Sequence, residues 1–324
     1  MDDRAEAWYR QRTSRWRDWP LGQLLENKQR DGIRISVVIP ARNEEGTVAG
    51  VVGPLHHALV SEAPLVDELV VIDSDSTDAT ARAAAEAGAI VHRASDIAPE
   101  LGAYRGKGEA LWKSLLVTRG DVLVFVDADL TQWGPHFVTG LLGPMLSQPD
   151  VQLVKGFYAR MRTEADGSVS TEGGRVTELV ARPVLNLWWP HLAGVVQPLA
   201  GEWAARRSLM ESLSIPVGYG VELATLLDTA ARHGLNVLAQ VDLGSRAHKH
   251  QANHDLAVMS AELLAVAARR RSGPHRLMPG VALEQFDREE GQVRRRSRPV
   301  PTDERPPAST VRLALRPELL PAAE

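Results

Sequence analysis

Residues 121–130 read Asp-Val-Leu-Val-Phe-Val-Asp-Ala-Asp-Leu, and this stretch decides the fold. Five apolar, mostly β-branched residues in a row are typical of a strand buried on both faces of a parallel sheet. Asp127 and Asp129 follow at alternate positions, so an extended chain points both side chains to the same side. They lie at the carboxyl end of the predicted strand, where open α/β sheets bind their ligands.

This pair of carboxylates predicts a site for a divalent cation. Mg²⁺ and Mn²⁺ prefer hard oxygen ligands and often share them with the phosphates of a nucleotide. An isolated Asp-x-Asp also caps turns, and patterns this short recur by chance. The motifs in the rest of the chain therefore have to distinguish the two interpretations.

Strands and helices alternate around this stretch. The pattern predicts further strands over residues 33–40, 67–73, 89–92, 151–157 and 235–241. Two of these strands end in polar sequences, which are Pro40-Ala-Arg-Asn-Glu-Glu45 and Asp73-Ser-Asp-Ser-Thr-Asp78. The alternation predicts a doubly wound parallel sheet with right-handed crossovers.

Two glycine-containing sequences are candidate anion sites. In Tyr104-Arg-Gly-Lys-Gly-Glu-Ala-Leu111, glycines flank Lys107 at a predicted helix start, where a backbone can approach phosphate closely. The full P-loop pattern is missing, so an ATPase is not indicated. In Gly173-Gly-Arg-Val-Thr177, two glycines, Arg175 and the Thr177 hydroxyl suit a phosphate or carboxylate. Alternatively, these glycines only turn the chain and Arg175 is solvated.

His248 is a candidate second ligand for the cation, because neutral imidazole binds Mn²⁺-like ions. A lone histidine is more often structural or solvated. His250 and His254 lie nearby, but with no cysteine in the chain they match no common zinc pattern.

Composition excludes several classes of protein. The 324 residues are 44% hydrophobic and 24% charged, with a net charge of -4, so no general affinity for nucleic acid is expected. The absence of cysteine excludes a disulfide framework and a cysteine nucleophile. No signal peptide and no apolar run of roughly 18 residues is visible. We therefore expect a cytoplasmic protein without membrane insertion.

Seven motifs in chain order resemble known proteins. They are Ile35–Glu45, Asp73–Asp78, Arg105–Leu111, Asp127–Asp129, Gly173–Pro183, Gly218–Glu222 and Arg246–His248. The first four resemble the nucleotide-sugar-binding half of a GT-A glycosyltransferase. The last three are similar to the glucosyl-3-phosphoglycerate synthases and their mannosyl-3-phosphoglycerate synthase relatives.

The resemblance implies a GT-A fold, that is, a Rossmann-like doubly wound sheet with an acceptor-binding C-terminal part. It covers a nucleotide-sugar-binding half (33–157) and an acceptor-binding half with a C-terminal helix (158–271). Outside it, the residues predict an N-terminal amphipathic extension (1–32) and a tail (272–324). The tail is rich in arginine, proline and glutamate, so we expect it to be disordered. Family members tend to be dimers, which favours a homodimer.

The implied reaction is the retaining transfer of glucose from UDP-glucose to the 2-hydroxyl of 3-phosphoglycerate. GDP-mannose as donor, or another small anionic acceptor, is the alternative. Donor binding is implied for Pro40, Ala41, Glu44, Ser74, Lys107, Asp127, Ala128 and Arg246. Asp129 and His248 would bind Mg²⁺ or Mn²⁺, and Gly174, Arg175 and Thr177 would bind 3-phosphoglycerate. Glu222 and Asp127 would be the catalytic residues.

Three other classes fit the residues less well. A sugar-nucleotide pyrophosphorylase should carry a glycine-rich loop with Arg and Lys where this chain has residues 40–45. A polymer-forming glycosyltransferase usually needs a membrane segment or an acceptor channel, and the sequence shows neither. A non-catalytic nucleotide-binding module has no need of a second anion pocket.

Overall fold

The computed structural model describes residues 2–163, 169–170, 174–247, 253–272, 282–289 and 292–315. The helices are α1 Asp3–Arg12, α2 Leu21–Asp31, α3 Val48–Leu55, α4 Thr80–Glu86, α5 Lys107–Val117, α6 His136–Ser147, α7 Arg182–Trp188, α8 Arg207–Ser212, α9 Val221–His233, α10 Asn253–Ser272 and α11 Ala308–Leu315. The strands are β1 Thr13–Arg15, β2 Ile35–Ala41, β3 Glu68–Asp73, β4 Ile90–Arg93, β5 Val122–Phe125, β6 Leu153–Thr163, β7 Val169–Ser170, β8 Trp203–Arg206, β9 Ile215–Pro216, β10 Leu238–Ala247, β11 Ala282–Glu289, β12 Gln292–Pro299 and β13 Glu304–Arg305.

One mixed sheet organises the described residues. Its strand order is β1-β10-β6-β8-β5-β2-β3-β4, and β7 pairs with β6. The doubly wound α/β arrangement predicted from the sequence is confirmed, but the sheet is not purely parallel, because β8 runs antiparallel to both β5 and β6. Sequence analysis missed β8, since it is four residues long and directly follows a glycine-containing polar loop.

The central strand is buried on both faces, as its composition predicts. Val122 and Val124 face one apolar layer with α3 and α6, whereas Leu123 and Phe125 face the other with α5 and α9. The strand ends at Phe125, so it is shorter than the predicted range. Asp127 and Asp129 therefore lie in the loop just beyond the carboxyl end of β5.

The N-terminal extension docks on this sheet. Trp8 is buried, and its indole Nε1 donates a hydrogen bond of 2.9 Å to the carbonyl of Leu238. β1 adds a parallel edge strand to β10. No helix within the described ranges combines the length and the apolar character needed to cross a bilayer.

The tail differs from the expected disorder. β11 and β12 form a hairpin, β13 pairs with β9, and α11 packs against α5 and α8. Charged side chains described for the tail pair with the body of the protein; for example, Glu304 contacts Arg270 at 2.8 Å and Arg298 contacts Asp255 at 2.8 Å. A charged composition is thus compatible with a folded segment where its charges have fixed partners. Residues 273–281 and 316–324 lie outside the described residues.

Candidate active site

The loops after β2 and β3 are held together by hydrogen bonds between them. The Ser74 amide donates to the carbonyl of Ala41 at 2.8 Å, and the Glu44 amide donates to Thr80 Oγ1, also at 2.8 Å. Pro40 lies within β2, beside the same loops. The structure thus brings together four of the residues predicted to bind the donor, at the carboxyl edge of the sheet.

Lys107 joins the loop after β5 to the start of α9. Its Nζ lies 2.6 Å from Asp127 Oδ1 and 2.7 Å from Glu222 Oε1, and only 14% of its side chain is exposed. Lys107 begins α5 and Glu222 lies in the first turn of α9, so two helix starts meet the loop after β5 here. Three residues predicted separately, as donor-binding or catalytic, form one ionic cluster.

The charges of this cluster change its pKa values. Burial alone would lower the pKa of the Lys107 ammonium, but the charges of Asp127 and Glu222 outweigh burial and raise it. Burial, together with the negative charge of Asp127, raises the pKa of Asp129. Asp127 is neutralised by Lys107, whereas Asp129 makes no hydrogen bond or ion pair with any other described residue.

Asp129 therefore suits a cation, which would compensate a carboxylate that is partly buried beside another one. The second predicted ligand, His248, lies outside the described residues. Among the residues that are described, no three His, Asp or Glu side chains come together as a metal site. Asp129 offers a carboxylate oxygen, which is the type of ligand that Mg²⁺ and Mn²⁺ prefer.

A second ionic group, formed by Arg246 and Glu202, lies next to the first. Of these two residues, only Arg246 was predicted from the sequence. Arg246, predicted to bind the donor, is buried, donates to Glu202 Oε1 and lies 3.8 Å from Asp127 Oδ2. Its guanidinium also lies over the ring of Tyr158, at 4.7 Å from the centroid. Glu202 was missed because the short strand β8 that follows it was missed, and because its partner Arg246 lies 44 residues further along the chain.

Lys155 is another buried residue that the sequence analysis missed. Its Nζ donates to the carbonyl of Ala200 at 2.8 Å. Burial lowers the pKa of Lys155 to about 8. Lys155 thus fixes the segment that contains Gly201, and Gly201 lies directly against the Asp127 carboxylate.

Gly201→Ala is expected to displace that carboxylate. A Cβ at this position would lie 2.1 Å from Asp127 Oδ2, and the other oxygen, Oδ1, is paired with Lys107 at 2.6 Å. We expect kcat to fall about tenfold or more, since small misplacements of reacting groups are costly. The measurement is steady-state turnover. Gly53→Ala is the control, because nothing lies within 4 Å of its added Cβ, and turnover should not change.

The loop over residues 216–220 sets the position of Glu222. The amides of Gly108 and Glu109 donate to the carbonyls of Gly218 and Val217, at 3.1 and 2.9 Å. The Tyr219 amide donates to the Glu262 carboxylate at 2.6 Å, and burial raises the pKa of Glu262 to about 7. The start of α9 is thereby fixed to the start of α5.

The predicted acceptor residues lie at the start of another helical segment. Arg175 is half-buried and Thr177 is buried, and the Glu178 amide donates to the carbonyl of Gly174 at 3.0 Å. The hydrogen bonds described for Gly174 and Thr177 stay within this segment, so they do not join it to the Lys107 cluster. Ala128, between the two aspartates, is buried in the apolar layer beneath them.

The mixed sheet and the cluster at its carboxyl edge define a glycosyltransferase. The family model described as glycosyl transferase family 2 matches residues 36–194. The GT-A fold predicted from the sequence is confirmed.

The chain belongs, more narrowly, to the glucosyl-3-phosphoglycerate synthase family. It is 44% identical to the glucosyl-3-phosphoglycerate synthase of Mycobacterium tuberculosis over 300 residues, which are 91% of this chain and 90% of the relative. The structure of that enzyme with Mn²⁺, UDP-glucose and phosphoglyceric acid matches with a TM-score of 0.80 and 44% identity, covering 90% of this chain and 95% of the other. The structure of its complex with Mg²⁺ and UDP also matches with a TM-score of 0.80 and 44% identity. This match covers 90% of the present chain and 96% of the other.

Proposed function

We propose that this chain transfers glucose from UDP-glucose to the 2-hydroxyl of 3-phosphoglycerate, with retention of the anomeric configuration. The proposal is supported by the ionic cluster of Lys107, Asp127 and Glu222, together with 44% identity to a relative whose structure contains UDP-glucose and phosphoglyceric acid. The enzyme is a metal-dependent hexosyltransferase of the glucosyl-3-phosphoglycerate synthase type. GDP-mannose remains the alternative donor.

Asp129 and His248 would hold the Mg²⁺ or Mn²⁺ that the solved relatives contain. When bound, the ion supplies Lewis-acid neutralisation of the leaving diphosphate. Lys107 and Arg246 add positive charge to the same region, and both have their pKa raised by neighbouring carboxylates despite burial. They therefore stay charged at neutral pH, next to a polyanionic donor.

The nucleoside of the donor would lie on the loops after β2 and β3, against Pro40, Ala41, Glu44 and Ser74. The hydrogen bonds between these loops preorganise the surface, which lowers the entropy cost of binding. Uridine is favoured as the base, because the family's relative binds UDP-glucose.

Glu222 would orient the reactants and stabilise positive charge at the anomeric carbon. Its carboxylate is already paired with Lys107 at 2.7 Å and is almost fully buried, which disfavours its use as a nucleophile. Retention would then follow from attack of the acceptor hydroxyl on the face that the diphosphate leaves. A covalent glycosyl-enzyme intermediate is the other route to retention.

The acceptor would bind at the start of the helical segment that precedes α7. Gly174, Arg175 and Thr177 offer backbone amides, a guanidinium and a hydroxyl to a phosphate or a carboxylate. Among these groups, Arg175 carries the charge.

Arg175→Ala is expected to raise KM for 3-phosphoglycerate about 10- to 100-fold, because a charge-assisted hydrogen bond to the acceptor is lost. KM for UDP-glucose should stay unchanged. Initial rates at varied acceptor concentration provide the measurement. Arg182→Ala is the matched control, because Arg182 begins α7 directly after this segment and pairs with Glu178 at 2.8 Å. An unchanged KM for 3-phosphoglycerate in Arg175→Ala removes Arg175 from the acceptor site.

The reaction is tested by following nucleoside diphosphate release from purified protein with Mg²⁺. Release should require 3-phosphoglycerate, stop on addition of EDTA and be faster with UDP-glucose than with GDP-mannose. NMR of the product's anomeric proton tests retention. Release with neither donor would overturn the proposed acceptor. Light scattering tests the predicted homodimer.

A further inference from the structure

The C-terminal segment over residues 300–312, here called the C-terminal strap, packs against the elements that hold Lys107 and Glu222. Its strand β13 pairs with β9, and the Val217 amide donates to the carbonyl of Asp303 at 3.1 Å. The indole of Trp112 donates to the carbonyl of Pro306 at 2.8 Å. The strap is therefore fixed both to α5 and to the loop that precedes α9.

Arg305 is the buried centre of this strap. Its Nε and Nη2 donate to the two oxygens of Glu109, each at 2.7 Å, in a bidentate ion pair. Its Nη1 donates to the carbonyl of Leu101 at 2.9 Å, and Nη2 also donates to that of Gly102 at 3.0 Å. One guanidinium thus binds both the first turn of α5 and the chain that leads into it.

Two aromatic rings complete the surroundings of Arg305. Its guanidinium carbon lies 4.6 Å from the ring centroid of Tyr104 and 4.8 Å from that of Trp112. The Tyr104 amide also donates to the Glu109 carboxylate, at 3.3 Å. Arginine suits this position because it combines a planar fork with ring stacking, which lysine does not.

The loop held in this way leads directly to Lys107. It contains Gly102 and Gly106, whose φ angles of +67° and +142° lie in the region that favours glycine. Glycines give such a loop wide conformational freedom, so its ordered form depends on external contacts. Arg305 provides three such hydrogen-bonded contacts, to Leu101, Gly102 and Glu109.

We propose that Arg305 is a positioning residue of the donor site. It holds the loop over residues 102–106 and so keeps the Lys107 ammonium between Asp127 and Glu222. This role rests on the proposed function, in which Lys107 belongs to the donor site. Without Arg305, the loop would be in its binding-competent form for only part of the time. The apparent affinity for the donor would then be the intrinsic affinity multiplied by that fraction.

The test uses the full-length variants Arg305→Met and Arg305→Lys. Hydrogen exchange of the peptide that covers residues 98–108, measured without substrate, should become about tenfold faster in Arg305→Met. KM for UDP-glucose should rise about tenfold, while kcat and KM for 3-phosphoglycerate stay within about twofold. Arg305→Lys should give an exchange rate and a KM for UDP-glucose between those of the wild type and Arg305→Met, because lysine keeps the charge but lacks the planar fork.

Arg312→Met is the matched control. Arg312 lies on the same strap and pairs with Glu211 at 3.0 Å, away from the loop. It should change neither the exchange of residues 98–108 nor KM for UDP-glucose. If Arg305→Met does not fold, Glu109→Gln weakens the same ion pair from the other side and is expected to give the same two changes.

Three results would overturn the inference. These are unchanged exchange in Arg305→Met, faster exchange over the whole protein, and a fall in kcat with equal changes in both KM values. The last two would indicate a purely structural residue. If the wild type shows no turnover, the proposed function fails by itself, and the exchange experiment still decides whether Arg305 orders the loop.

Discussion

Lys107→Met is expected to lower kcat/KM for glucosyl transfer by about 10²–10³-fold, the range for removing one preorganised charge-stabilising group from an active site. The ammonium of Lys107 separates and neutralises two carboxylates, at 2.6 Å from Asp127 and 2.7 Å from Glu222. Without it, the like charges disfavour each other's ionised form in a space of low exposure. The anionic donor would then meet uncompensated negative charge. Initial rates of UDP release at varied donor concentration measure the loss.

Lys28→Met is the matched control for this variant. Lys28 has the same exposed fraction, 14%, and also pairs with an aspartate, Asp67, at 3.0 Å, but it lies on α2. Its kcat/KM should stay within about twofold of wild type. The double variant Lys107→Met/Glu222→Gln should lose much less than the product of the two single losses, because the groups act as a unit. Activity of Lys107→Met close to wild type would place the reaction elsewhere.

Glu202→Gln is expected to lower the free energy of unfolding by about 3–5 kcal/mol, the cost of removing one partner from a buried ion pair. Both side chains are buried, and Glu202 carries the carboxylate that faces the Arg246 guanidinium. An amide of the same shape keeps the packing but leaves the positive charge of Arg246 undercompensated. Urea unfolding followed by circular dichroism measures the difference.

Two further variants separate the ion pair from simple packing. Glu178→Gln breaks an exposed pair with Arg182 and should cost less than about 1 kcal/mol. Glu202→Gln combined with Arg246→Met removes both charges and should recover part of the lost stability. A Glu202→Gln protein as stable as wild type would show that Arg246 is sufficiently compensated by Asp127, 3.8 Å away.

The grouping of polar side chains at the carboxyl edge of the sheet was predictable from the sequence because its signals are local. The apolar run over residues 122–126 is followed at once by Asp127 and Asp129, and the polar ends of β2 and β3 lie beside it in the sheet. Register in a parallel sheet aligns strand ends, so residues distant in sequence meet at one edge. The glycines around Lys107 likewise predicted a helix start, which the structure confirms.

The parts that were missed depend on contacts between distant residues. Nothing near Glu202 in the sequence indicates that Arg246 will lie against it, and nothing near Arg305 indicates Glu109. The tail has the composition of a disordered segment when it is considered alone. Its order comes from partners in α5 and α10, which only the folded protein brings within reach.

The antiparallel strand β8 also has a consequence for synthesis of the chain. The ribosome adds residues in order, so β5 cannot gain its neighbour on that side until Arg206 has emerged. Until then, the nascent chain presents an open, apolar strand edge beside Asp127, which favours pairing with other chains. We expect residues 33–157 not to be an exchangeable module, and chimeras that replace this part alone to aggregate unless the matching β8 is transferred with it.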